Sequence, residues 1–292
     1  MGRNGDLSDE VCIGGWTMDD HSPGGFDRPD LKPNSVTAPP LPYNIPLRCL
    51  YSHNMANLFM AGRNISASHV AFTSSRVMAT CSVIGQAVGT AAALCLDHKL
   101  LPRELASSPS RVKDLRQVLL RDDQTTRGAR HEDPLDLARE AEVTASAETP
   151  EGDAEHVING FVRDLPNRAA NRWVAPMRAE GVWLQLTWKQ ALTLRQVQIT
   201  FDTGFQRALR LSHQDNFNAK MIQAPQPETV RDYELIAADV AGKETSLARV
   251  SGNWQRFRRH VFEPVDVKTL RLLTTATNGL EVASVFEVRC YS

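Results

Sequence analysis

The chain has 292 residues, with 33 Lys and Arg against 34 Asp and Glu and a formal charge of −1. That length suits two domains of ordinary size, and the charge balance excludes a one-signed field that would draw the chain to nucleic acid or anionic lipid. Cys12, Cys49, Cys81, Cys95 and Cys290 form no CxxC pair; an odd, scattered set predicts reduced thiols acting as small buried hydrophobes.

Residues 1–56 are dense in Pro and Gly, as in "IGGWTMDDHSPGGFDRPDLKPNSVTAPPLPYNIPLRCL", which favours turns and extended segments without a core of their own. The opening "MGRNGDLSDEVCIGG" lacks the apolar core of a signal peptide, and the weakly polar run Val83 to Leu96 is too short to cross a bilayer. A soluble chain with no membrane span is expected, its compartment undefined.

From Asn57 the pattern sharpens. "NLFMAG" reads as a short buried strand and Arg76 to Leu96 as a helix, with Ser74 or Ser75 as N-cap. Gly85, Ala87, Gly89, Ala91, Ala92 and Ala93 leave one face of that helix nearly flat, open to a strand or a cofactor. "SPSRVKDLRQVLLRDD" predicts a second helix on Val112, Leu115, Val118 and Leu119, capped by Ser110. "QTTRGARHEDP" reads as a linker.

Beyond about Leu137 short strand-like runs follow one another: "AEVTAS", "VWLQLTW", "LRQVQITF", "YELIAAD", "RHVFEPV", "TLRLLTT" and "VASVFEVRCY". Strands without helices between them predict an antiparallel sandwich. Val197, Ile199 and Phe201 are expected to face its core while Gln196, Gln198 and Thr200 face water.

The "INGF" turn at Ile158 to Phe161, Trp173, "WLQL" at Trp183 to Leu186, "FEPVDVKTLRL" as a strand pair and the closing "FEVRCY" occur in an order that resembles the discoidin, or coagulation-factor C-type, domain over residues 136–292. The resemblance implies a jelly-roll sandwich whose end loops bind sugars or membranes and which often holds calcium. Asn159 and Asp164 are candidate ligands but do not make up a set, so no metal is assigned. Trp173 and Trp183 are expected in the core, and Gly204 to Phe217, with Phe205 and Phe217, is the candidate exposed face.

"IGGWTMDDHSPGG", the long block from Tyr43 to Ala93 and the trailing "LPREL" resemble the C-terminal end of the FAD-dependent oxidoreductases of the glutathione-reductase-like superfamily. The fold class is therefore an α/β fragment over residues 1–130, carrying the last strand and helix of an FAD-binding fold, followed by an all-β antiparallel sandwich over 136–292. The resemblance implies FAD and hydride transfer between substrate and flavin. Gly62, Arg63, Asn64, Ser75, Arg76 and Val77 are expected at the cofactor, with Gly62 admitting its backbone and Arg76 plus the helix N-terminus stabilising negative charge on the ring. Arg63 and Asn64 stand where the superfamily often has an aspartate for the ribityl chain. His69 is the candidate acid–base group, since an imidazole ordinarily titrates at about 6.5; an ordinary surface histidine is the alternative. His21, oriented by Asp19 or Asp20, and Arg48 are candidate substrate contacts, with a salt bridge as the alternative for Arg48. Some relatives carry iron–sulfur clusters, which need closely spaced cysteines, so none is expected here.

No GxGxxG occurs in the 292 residues, although the diphosphate of FAD needs one between a strand and a helix. The expectation is a split or truncated flavoprotein whose FAD depends on a separate N-terminal FAD-binding polypeptide, this chain alone being inactive. The expected substrate is a small molecule or carbohydrate, a sugar-derived one being the class the sandwich suggests. The alternatives are a non-catalytic carbohydrate-binding protein with a vestigial flavoprotein segment, and a sandwich that only stabilises its neighbour.

Overall fold

A computed structural model describes residues 8–38, 42–165, 170–209, 212 and 214–292. The chain divides into two compact units, residues 1–131 and 132–292.

In the first unit β1 (Glu10–Gly14) pairs antiparallel with β4 (Tyr43–Pro46), and β2 (Met18–His21) pairs with β3 (Asn34–Thr37). Four helices follow: α1 (His69–Ser75), α2 (Met78–His98), α3 (Pro102–Ser107) and α4 (Pro109–Arg121). Ile84, Ala87, Ala91 and Cys95 recur on one side of α2 and meet Val11, Cys12, Ile45, Leu47 and Leu50, with Val112, Leu115 and Leu119 of α4 closing the core. The Pro- and Gly-rich opening thus contributes five buried residues to a core completed by α2 and α4. Polar clamps hold its edge: Asn44 Nδ2 donates to Glu10 Oε2 at 2.6 Å, and the Arg127 amide donates to Asn44 Oδ1 at 2.8 Å.

Several expectations change here. The helix expected over Arg76 to Leu96 is α2, which starts two residues later at Met78; extended Val77 (φ −74°, ψ 149°) separates it from α1, a helix the sequence pattern did not indicate. Ser68 caps α1, neither Ser74 nor Ser75 caps α2, and Arg76 is the C-cap of α1. "NLFMAG" is no buried strand: it makes a single bridge, Tyr51 to Phe59, and Leu58 is exposed. The bridge is closed by Met60 N–H donating to Leu50 O at 2.7 Å and Ser52 N–H donating to Leu58 O at 2.9 Å, a pairing too short to make a strand. Ser108 rather than Ser110 precedes α4, where Pro109 takes the first helical position that suits its missing N–H. α2 spans 21 residues against the 14 of the run Val83 to Leu96 and is long and apolar enough to cross a membrane, by length and composition alone. Its outer side is uncovered, with Met78 76% and Leu96 80% exposed.

The second unit contains β5 (Glu142–Ala145), β6 (Trp173–Pro176), β7 (Val182–Phe201), a short α5 (Asp215–Asn218), β8 (Val230–Ala238), β9 (Glu244–Val250), β10 (Phe257–Thr277) and β11 (Val282–Tyr291). Among the described residues, seven strands form one antiparallel sheet in the order β6-β11-β7-β10-β8-β9, with β5 also on β7. β7 and β10 pair along their length and serve two layers. The first half of β7 pairs with β5 and its last residues with β11, while the second half of β10 pairs with β8. Register shifts between Val261 and Val265 and between Val267 and Thr269 bend the strands from one layer to the other. The runs expected as separate strands on either side of Lys189, and on either side of residues 266–268, are therefore continuous.

Trp173, Leu184, Leu186, Val197, Ile199, Phe201 and Val285 fill the core. Trp173 donates its Nε1–H to Ala147 O at 3.0 Å. Trp183 instead lies partly exposed, with the Arg271 guanidinium 5.2 Å from its ring centre, and Trp188 takes the second core position. Gln198 and Thr200 do not face water. They are buried opposite Arg289 and Glu287, which form an ion pair at 2.6 Å, so this outer face is a covered polar layer.

Candidate functional site

In the first unit the chain from Gly62 to Met78 carries most of the predicted site. Gly62 sits at φ +83° with no atom within 4 Å of the position a Cβ would take, so the backbone is open to a neighbour. Arg63 and Asn64 complete an exposed turn. Ser68 Oγ accepts from the Ala71 amide at 3.3 Å and starts α1 at His69. Val77 precedes α2 and offers no side-chain acceptor, which leaves the first-turn amides of a 21-residue helix uncapped and their end of the helix positive.

The β2–β3 hairpin brings acid to this segment. Asp20 Oδ1 lies 2.8 Å from His69 Nε2, and Asp19 Oδ2 lies 3.1 Å from His21 Nε2. Arg76 Nη2 donates to the Asp19 carbonyl at 2.6 Å, with the Asp19 carboxylate 4.0 Å away. Asn34 Nδ2 donates to Asp19 Oδ1 at 2.8 Å; that bond first, and His21 after it, hold the carboxyl below the usual range. Behind them Ser74 Oγ lies 2.6 Å from the Trp16 carbonyl and 2.6 Å from the Tyr43 hydroxyl. His21, His69 and Arg76 therefore meet around two neighbouring aspartates. Asp20 as the partner of His69 was not foreseen. Its only sequence signal is strand alternation, which sends Asp19 and Asp20 of β2 to opposite faces.

Arg76 stands at the C-cap of α1 rather than at a helix start, and its guanidinium donates to the Asp19 carbonyl. Arg48 lies apart, its Nε 2.9 Å and 3.0 Å from the carboxylate oxygens of buried Asp9. Burial opposes the ionised form of Asp9, yet the hydrogen bonds and charge of Arg48 win and lower its pKa. Ser75 is buried within α1, while Val77 links the helices.

The residues fit one end of FAD. An open positive-φ glycine and uncapped helix amides suit the electron-rich side of an isoalloxazine ring, whereas no glycine pair here has the spacing that receives a diphosphate. All five cysteines are free thiols; Cys49 and Cys81 are only partly buried, unlike the other three.

In the second unit the loops at one end are braced by buried Asn253 and half-buried Asn278. Asn253 Nδ2 donates to Val230 O at 2.8 Å, and Asn278 Nδ2 donates to Asn253 O at 2.9 Å and Thr229 O at 3.0 Å. On this fixed loop Trp254 is 64% exposed. Phe205 is 55% exposed, and the Arg256 guanidinium stacks 4.3 Å from its ring centre while donating to Phe201 O at 3.0 Å. Arg207 grips Glu228 and lowers its pKa. Of the expected exposed face, Arg210, Leu211 and His213 lie outside the described residues. Asp164 is ion-paired with Arg172, and Asn159 Oδ1 accepts from the Phe161 amide at 2.9 Å, so both are engaged within the protein.

Residues 3–119 match the family described as FAD dependent oxidoreductase. That match falls within the first unit, and residues 136–224 match the family described as Domain of unknown function (DUF7402). No curated protein matches the chain. Among solved structures, the chain is similar to the family 32 carbohydrate-binding module of Clostridium perfringens NanJ, solved with galactose, at 17% identity over 53% of this chain and 96% of that one, with a TM-score of 0.39. It is also similar to the family 32 module of Streptococcus pneumoniae EndoD, at 14% identity over 54% and 99%, TM-score 0.40. A third is chitosan-binding module 1 of a Paenibacillus sp. IK-5 chitosanase/glucanase, at 14% identity over 54% and 98%, TM-score 0.40.

Proposed function

We propose that the first unit forms the flavin-ring side of an FAD-dependent oxidoreductase site that oxidises an alcohol carbon of a small molecule. The observation that carries this reading is the pairing of His69 with Asp20 beside the uncapped start of α2, inside the segment that matches the oxidoreductase family. Bound flavin supplies the two-electron acceptor for a hydride leaving the substrate carbon. Asp20 accepts from Nε2–H of His69 and so leaves Nδ1 as the base. His69 takes the proton of the substrate hydroxyl as the C–H bond breaks, so that a carbonyl forms and proton and hydride are both accounted for. Arg76, held by Asp19, fixes the β2–β3 hairpin against the end of α1 and acts as a positioning residue. The diphosphate and adenine are held outside this chain's residues, by a separate polypeptide or a longer form of this one.

The test is absorbance near about 370 and 450 nm in this chain expressed alone and together with the neighbouring upstream reading frame. Flavin in the joint preparation, with turnover lost in His69→Ala, is the expected result. No flavin in either preparation overturns the reading.

A second reading, carbohydrate binding without catalysis, is favoured by Trp254 and Phe205. An exposed indole on a hydrogen-bonded loop gives a flat apolar platform at low ordering cost, with Arg256 and Gln255 beside it for hydroxyl groups. Under the first reading the same surface would bring a sugar-bearing substrate to the enzyme. Retention of the chain on immobilised galactose or chitosan, lost in Trp254→Ala, tests it.

A further inference from the structure

The first unit contains a half-open cavity of about 230 Å³ between β4, the turn after it and α1. Its walls are Ile45, Pro46, Ile65, Ala67 and Ala71, with Tyr43, Asn44 and Cys49 at its edges and Ser66, Ser68 and Ser75 as the hydroxyl-bearing residues. No charged side chain lines it among the described residues. Asn44 is already engaged on both sides of its amide, by Glu10 and by the Arg127 amide. The Tyr43 hydroxyl is engaged by Ser74, and Ser68 caps α1. Ser75 differs: it is 3% exposed, lines the cavity, and its Oγ has no hydrogen-bond partner among the described residues. A buried hydroxyl left unmatched costs about 1–3 kcal/mol, and a serine hydroxyl both donates and accepts.

We infer that this cavity is a binding site for an uncharged, single-ring molecule that is apolar over most of its surface and presents one hydroxyl or carbonyl to Ser75 Oγ. The size admits one ring, the aliphatic walls favour an apolar body, and the lack of a counter-charge excludes an ionised ligand, whose desolvation nothing would offset. Burial also raises the pKa values of Cys49 and Tyr43, keeping both neutral. Ser68 on the wall immediately precedes His69, so the occupant lies next to the proposed base. Treating the occupant as substrate rests on the oxidoreductase reading and narrows its substrate class; the binding itself does not depend on flavin.

The test uses the full chain without flavin, labelled at alanine methyl groups and titrated with phenol, benzoate and galactose. Phenol is expected to shift the Ala67 and Ala71 methyl signals and to slow alkylation of Cys49 by iodoacetamide, read by peptide mapping. Ser75→Ala is expected to weaken phenol about fivefold to tenfold, and Ala71→Leu, which fills the cavity, to abolish binding while the Ala87 and Ala91 signals of the α2 core stay in place. Should Ala71→Leu disturb that core, Ser75→Ala and the Cys49 protection decide the matter. Unmoved Ala67 and Ala71 signals up to the solubility limit of phenol, equal or tighter binding of benzoate or galactose read at those two signals, or unchanged affinity in Ser75→Ala would overturn the inference. Absent flavin in every preparation with phenol still bound would defeat the oxidoreductase reading alone.

Discussion

His260 makes the second unit sensitive to acid. Its Nε2 lies 2.9 Å from the hydroxyl of buried Tyr233, with the two rings edge-on at 5.8 Å. Burial first, and the charge of Arg258 second, push its pKa from 6.5 down to about 4. Above pH 6.5 the ring is neutral in both folded and unfolded chains. As the pH falls below that value the unfolded chain takes up the proton first, and stability is lost until the folded ring also protonates near pH 4. A fall of about 2.5 pH units corresponds to roughly 3 kcal/mol, and to about 2 kcal/mol after allowance for solvent at a partly exposed ring. For a unit of this size that is about 6 °C in Tm. His260→Gln keeps an amide for the Tyr233 hydroxyl and removes the titration. Thermal unfolding of the full chain at several pH values between 7 and 4, with the wild type and His260→Gln side by side, reads the difference directly, since every other titrating group cancels. The variant should match or fall slightly below the wild type at pH 7 and gain on it steadily toward pH 4. Parallel curves would refute the argument.

Asp20→Asn should lower turnover of a flavin-loaded preparation by about tenfold to a hundredfold and alter the acid limb of its pH–rate profile, because the amide no longer fixes the tautomer of His69; an unchanged profile would make the pair structural. Arg48→Gln should cost about 2–4 kcal/mol in urea unfolding by stranding the buried Asp9 carboxylate, with flavin content and phenol binding unaffected. Trp173→Ala should destabilise the second unit by about 3–5 kcal/mol. Trp254→Ala should move its Tm hardly at all while removing retention on galactose or chitosan resin, and a comparable stability loss in the two would place Trp254 in a structural role.

Legibility in the sequence followed the range of the interactions. The antiparallel character of the second unit was readable because Val182, Leu184 and Leu186 alternate with partly exposed neighbours, and that alternation is local. The same rule failed at Gln198 and Thr200. Their polarity reads as a solvated face, yet β11 sets Arg289 and Glu287 opposite them and the layer is covered, a pairing between residues some ninety positions apart. Trp173 and Trp183 look alike in sequence; only register and the position of Arg271 separate the core residue from the stacked, partly exposed one. In the first unit the small-residue helix and Gly62 were legible from composition. The break at Val77 was not, since Val77 is an ordinary helical residue by propensity and its extended backbone belongs to the junction of α1 and α2.

What the sequence determined by itself was the presence of an FAD-oxidoreductase-like segment before an all-β unit, because residue type and spacing carry that information along the chain. Tertiary structure alone decided that Asp20 meets His69 across 49 residues, that Arg48 belongs to Asp9, that Trp254 stands exposed on a braced loop, and that Ser75 lines a cavity with its hydroxyl unpartnered among the described residues. The reason is physical: hydrogen bonds and burial are properties of neighbours in space, and the β2–β3 hairpin, β4 and α1 become neighbours only when the core between β1, α2 and α4 has closed.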